Sequence, residues 1–189
     1  MPISINCSSG SLILCAFLLL IVPLQWILAA VAAALIHELF HYVMIRLSGN
    51  DVFEIAFTQH GMIMKTTSLS DLQELICALA GPIGSMLLVC CAPWIPRIAV
   101  CAGIQGVFNL LPVYPLDGGR ILHSFAALCF SDEVAQSLCR CVMYGTCFLI
   151  LLAGIFCSYR MKIGFMPLFA SILFLSRVVS EKFLANRGN

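Results

Sequence analysis

The amino-acid sequence predicts an all-α polytopic membrane protein of about six transmembrane helices, with a short membrane-associated β-hairpin. Three observations carry that expectation. Hydrophobic residues make up 61% of the chain and charged residues 10%, where a soluble domain carries roughly 25% charged residues. Long apolar runs are separated by polar or proline-rich breaks, as in a chain that crosses a bilayer repeatedly. One stretch, Asp51–Thr67, departs from this pattern and reads as two short strands. At about 20 residues per span, the length accommodates several spans and leaves little for a soluble domain. A single membrane-embedded domain over residues 1–189 is therefore expected.

The apolar runs give six candidate helices in order. The first is about Ser9–Ile21, closed by the break at Pro23, although Ser11–Ala33 also reads as one continuous span. The N-terminal run lacks a basic flank, since the first Lys or Arg is Arg46, so it is expected to be a retained span rather than a cleaved signal peptide. The second helix is about Gln25–Leu47. The third is about Leu72–Cys91, ended by Pro93 and Pro96. The fourth is about Arg97–Leu111, the fifth about Val134–Cys157 and the sixth about Phe165–Phe183. Between the second and third, Val52–Phe57 and Met62–Met64 flank Gln59-His60-Gly61, the pattern of a hairpin with a glycine turn. After the fourth, Pro112 and Pro115 break the chain before a further helix starts near Asp117.

Charge sets the expected orientation. With the N-terminus in the cytoplasm, Arg46, Lys65, Arg120, Arg140, Arg177, Lys182 and Arg187 lie inside, and Arg97, Arg160 and Lys162 lie outside. Both termini are thus expected to be cytoplasmic. A net charge of +1 gives no basic surface for nucleic acid. The 11 cysteines are scattered, mostly within apolar runs, and no C-x-x-C pair occurs. They read as small buried hydrophobes rather than a disulfide framework.

The chemistry concentrates in His37-Glu38-Leu39-Phe40-His41. On a helix, residues four apart lie about 40° apart around the axis and one turn on, so both imidazoles reach one metal ion. Glu38 points one step round, suited to act as a base on water at that metal. The flanks Ala32–Ile36 and Tyr42–Ile45 are apolar, which excludes a solvated charged face. Ionisable groups at that depth must be paired, metal-bound or facing a water cavity. A catalytic zinc needs three protein ligands and one open position. His60, His123 and the acidic residues are candidates for the third. Asp117 is favoured, because the second and fourth helices run in one direction and bring both motifs to one membrane face. Gly118 and Gly119 permit close backbone approach there. His123, six residues after Asp117, points to another helix face, and His60 sits at the hairpin tip.

Taken with Asn109-Leu110-Leu111-Pro112-Val113-Tyr114-Pro115-Leu116-Asp117-Gly118-Gly119 and Ala80-Gly81-Pro82, these motifs resemble the site-2 protease family of intramembrane metalloproteases. The resemblance runs from about Gln25 to Phe183 and is closest to the branch of spore-forming bacteria that processes a pro-sigma factor. It implies one Zn2+ per chain held by His37, His41 and Asp117, with Glu38 as the general base. With the orientation set by charge, the chain is expected to be an integral protein of the bacterial cytoplasmic membrane whose site faces the cytoplasmic side. Asn109 is expected either to orient substrate or an oxyanion, or to cap the broken helix. Gly61, Pro112 and Pro115 are further candidates for substrate binding. Three positions depart from the family pattern: Phe40 stands where Gly is usual, Ser85 where Asn is frequent, and the hairpin has the single Gly61.

The expected substrate is a single-span or membrane-associated protein, cut within or next to its transmembrane segment in regulated intramembrane proteolysis. An extended substrate segment would pair with the hairpin. No PDZ insert or regulatory C-terminal domain is read in the sequence, so a separate regulatory membrane protein is an expected partner alongside the bilayer. The alternatives are a catalytically inactive membrane partner protein and a metal-dependent transporter. The chain shows no two-fold hydropathy repeat of the kind transporters carry.

Overall fold

The computed structural model describes residues 4–7, 19, 21–58, 61–160, 168–169, 171–172 and 174–175. These form two compact units, residues 1–110 and 111–189. The first holds a three-stranded sheet and three helices.

Helix α1 spans Leu24–Leu47 and starts directly after Pro23. Its buried residues, Ala29, Ala33, His37, His41 and Ile45, recur every fourth position, so a single ridge faces the unit's interior. The helix ends in a Schellman motif: Asn50 N–H donates to the Ile45 carbonyl, Gly49 N–H donates to that of Arg46, and Gly49 adopts φ 79°. An Arg46–Asp51 ion pair spans this turn.

Strands β1 (Ser4–Cys7), β2 (Val52–Thr58) and β3 (Gly61–Thr66) follow the spatial order β1-β2-β3. The expected hairpin is present, with β2 and β3 antiparallel in the register Ile55↔Met64. Glu54 and Lys65 face each other across it at 2.8 Å. β1 was not anticipated. It joins β2 in parallel, with Ser4 opposite Glu54. The hairpin tip, residues 59 and 60, lies outside the described residues, and His60 with it.

Helix α2 (Asp71–Cys90) opens on a capping box. Ser70 Oγ accepts from Gln73 N–H, and Gln73 Oε1 accepts from Ser70 N–H. Asp71 and Glu74 in its first turn complement the helix dipole. Helix α3 (Pro96–Asn109) begins with proline at its first position, where no N–H is required. Ala33, Leu88 and Ala102 form a core cluster, one residue from each helix, and two of them are alanines that let the backbones approach closely. Ile45, Val52 and Cys77, flanked by Tyr42, Ile55 and Met64, pin the sheet onto α1 and α2.

The second unit contains α4 (Asp117–Cys129) and α5 (Asp132–Arg160). Val113, Met143 and Cys147 form its core, with Phe174 and Leu175 packed against them.

The expectation of six spans requires correction. Five helices are described, and three of them, α1, α2 and α5, are long and apolar enough to cross a membrane. The expected fourth span corresponds to α3, whose 14 residues rise about 21 Å, short of a hydrocarbon core about 30 Å thick. Pro96 sets its start, and the helix ends at Asn109, three residues before Pro112. The expected first and sixth spans lie largely outside the described residues.

Candidate metal centre

His37 and His41 are buried on α1, 1% and 5% exposed. Each ring is held at Nδ1 by α2. His41 Nδ1–H donates to the Cys77 carbonyl at 2.7 Å, and His37 Nδ1 lies 2.9 Å from Ser85 Oγ. A carbonyl only accepts, so His41 carries its proton on Nδ1 and presents a lone pair at Nε2. At His37, Asn109 Nδ2 stands 3.0 Å from Nε2. An amide nitrogen only donates, which gives His37 the same tautomer, with Nδ1–H donating to Ser85 Oγ.

The two Nε2 atoms are 3.2 Å apart. Two lone pairs brought that close repel unless a proton or a cation lies between them. Two imidazole nitrogens on one tetrahedral zinc, at Zn–N of about 2.0–2.1 Å, would stand roughly 3.3–3.4 Å apart. The donor type, the tautomers and the spacing all fit a divalent metal.

The face of α2 opposite the pair is cleared for it. A Cβ on Gly81 would meet His41 Nε2 at 2.2 Å and His37 Nε2 at 2.7 Å. Cys77, Gly81 and Ser85 recur every fourth residue and run antiparallel to the histidines, Cys77 meeting His41 and Ser85 meeting His37. Phe40, the bulky departure from the family pattern, has its own recess: a Cβ on Gly84 would fall 2.6 Å from Phe40 Cγ.

Glu38 is half-buried on the same helix, one position from His37. Asn109 is the last residue of α3, and its side-chain Nδ2 lies 3.0 Å from His37 Nε2. Gly61 opens β3, while Pro112 and Pro115 lie in the turn between α3 and α4.

In the second unit, Asp117 is buried at the first position of α4, where the helix dipole favours a carboxylate. Arg120 lies 3.6 Å from Asp117 Oδ1, one turn along, so this arginine pairs within its own helix. Gly119 lets the preceding turn fold back, since a Cβ there would meet Tyr114 N at 2.5 Å. His37, His41 and Asp117 each offer one donor atom, and all three are buried. His123 is exposed on α4.

Ser85, Gly81, Gly84 and the Cys77 carbonyl were not assigned roles from sequence. The one sequence feature that Cys77, Gly81 and Ser85 share with the histidines is their four-residue spacing, which by itself does not say which helix they face.

A buried imidazole pair preset for a metal, with a glutamate beside it on an apolar helix, is the donor pattern that metal-dependent hydrolases use. Residues 60–153 match peptidase family M50, a stretch that contains Gly81, Ser85, Asn109 and Asp117. Among solved structures, the fold is similar to the "Site-2 Protease from Methanocaldococcus jannaschii", with a TM-score of 0.63 and 18% sequence identity, over 91% of this chain and 87% of that one. A search of the curated proteins finds no match.

Proposed function

We propose that this protein is an intramembrane zinc metalloprotease that hydrolyses a peptide bond within or next to a transmembrane segment of a membrane-associated protein. The observation that carries the reading is the imidazole pair, with each Nδ1 engaged by α2 and the two Nε2 atoms 3.2 Å apart. His37, His41 and Asp117 would hold the metal, which leaves the open fourth position that catalysis needs. The family M50 match and the site-2 protease fold are consistent with this donor set.

A bound zinc would supply a Lewis acid that makes water nucleophilic near neutral pH and stabilises charge on a carbonyl oxygen. Glu38 takes a proton from the attacking water as its oxygen bonds to the carbonyl carbon. It returns that proton to the nitrogen as the C–N bond breaks, giving a carboxylic acid end and a free amine. Asn109 Nδ2–H, within reach of His37 Nε2, is a side-chain donor for the developing oxyanion once that lone pair is engaged. Arg120 orients the Asp117 carboxylate.

The substrate bond must leave its helix before attack, because helical peptide groups are already hydrogen-bonded. β2 has a neighbour on each side, so an added substrate strand would pair with an outer strand, β3 or β1. Gly61, which opens β3, and Pro112 and Pro115, before α4, would shape the path of that segment. A role in regulated proteolysis of the sporulation type follows the resemblance, a site toward the cytoplasmic face follows the distribution of Lys and Arg, and a separate membrane protein is the proposed means of control.

The test is to purify the protein, measure bound zinc and assay cleavage of a single-span substrate. About one zinc per chain is expected. Glu38→Gln should keep the metal and lose at least 100-fold in rate, the lower end of a general base's contribution. A zinc-free wild type, or cleavage surviving Glu38→Gln, would overturn the reading.

A further inference from the structure

Ser85 stands in the middle of α2 at 2% exposure, a hydroxyl placed where an apolar side chain would cost less. Its Oγ lies 2.9 Å from His37 Nδ1. Behind it, α3 presents Gly106, where an added Cβ would fall 3.0 Å from Ser85 Cβ and 3.6 Å from its Oγ. The missing side chain at Gly106 thus leaves the room against α3 that Ser85 occupies. The two histidines are anchored differently. His41 leans on a backbone carbonyl, which no substitution of Cys77 removes, whereas His37 leans on a side chain.

We propose that Ser85 is the positioning residue of the metal centre, accepting the Nδ1 proton of His37 so that Nε2 faces the ion with its lone pair. The Asn109 amide fixes the tautomer, and the Ser85 hydroxyl holds the plane of the ring. Without that acceptor, the Nδ1–H of a buried imidazole loses the Ser85 hydrogen bond, and the ring is freer to turn its Nε2 away from the ion. The inference rests on the zinc reading above and adds a residue to it.

The experiment measures zinc affinity by chelator competition on the full-length protein in detergent, together with the visible spectrum of the cobalt-substituted form. Neither readout depends on turnover. Ser85→Ala removes only the hydroxyl and adds no volume. It is expected to keep helicity, weaken zinc binding about 10- to 100-fold and alter the cobalt bands. Ser85→Thr retains a hydroxyl and is expected to stay within about threefold of wild type, following the same hydrogen-bond logic. Ser124→Ala, at a buried serine of α4 with no hydrogen-bond partner among the described residues, is the control and should leave affinity unchanged. Ser85→Ala binding zinc like wild type would overturn the proposal. So would equal losses in Ser85→Ala and Ser85→Thr, which would assign the effect to packing. A wild type that binds no zinc would instead overturn the metal reading itself.

Discussion

At the scale of single residues, the site depends on a missing side chain as much as on those present. Gly81 faces both Nε2 atoms from less than 3 Å, measured from where its Cβ would stand. Gly81→Ala would raise helix propensity by about 1 kcal/mol. We nevertheless expect it to weaken zinc binding on the order of 100-fold, because its methyl group would enter the space of the ligand nitrogens. Circular dichroism should show an intact helix while metal analysis shows the loss; full zinc occupancy in the variant would contradict the geometry. His37, Glu38 and His41 were legible in the sequence because helical spacing alone places them together. Gly81 and Ser85 were visible only as a motif and a departure from it. Their roles come from a neighbouring helix, and no local pattern shows which residue of α2 lies opposite which residue of α1.

At the scale of elements, α1 and α2 were read nearly to the residue, since proline, a capping box and a glycine turn mark their ends. The hairpin was also legible, from its alternation and Gly61. β1 was not: four residues carry too little pattern, and parallel pairing with β2 is a long-range contact. Its presence narrows the substrate hypothesis to the outer strands. Proline or charged substitutions in β3 are expected to slow cleavage about tenfold or more while zinc content stays at wild-type level, since one lost bidentate strand contact is worth about 1–2 kcal/mol. Cleavage that is unaffected would remove the sheet from substrate handling.

At the scale of the whole molecule, composition announced a lipid-embedded chain, and the exposed surface agrees. Leu28, Leu35, Leu39, Phe148 and Phe156 all stand outward on the long helices. The count of spans was less legible, because hydropathy registers an apolar run without its length in helical form; α3 is apolar yet too short. From the distribution of Lys and Arg we expect both termini in the cytoplasm. Reporter domains fused to either end should therefore be active only if they work in the cytoplasm, and an active periplasmic reporter at either end would reverse the assignment. The four-residue stripe on α2 has a consequence for how this chain can change. One residue inserted between Cys77 and Ser85 would rotate the rest of the helix by about 100° and carry Ser85 and Gly84 away from their partners. α1 and α2 are thus keyed together tooth by tooth. Point substitutions on their lipid-facing sides leave this register intact, but length changes within the keyed segment do not.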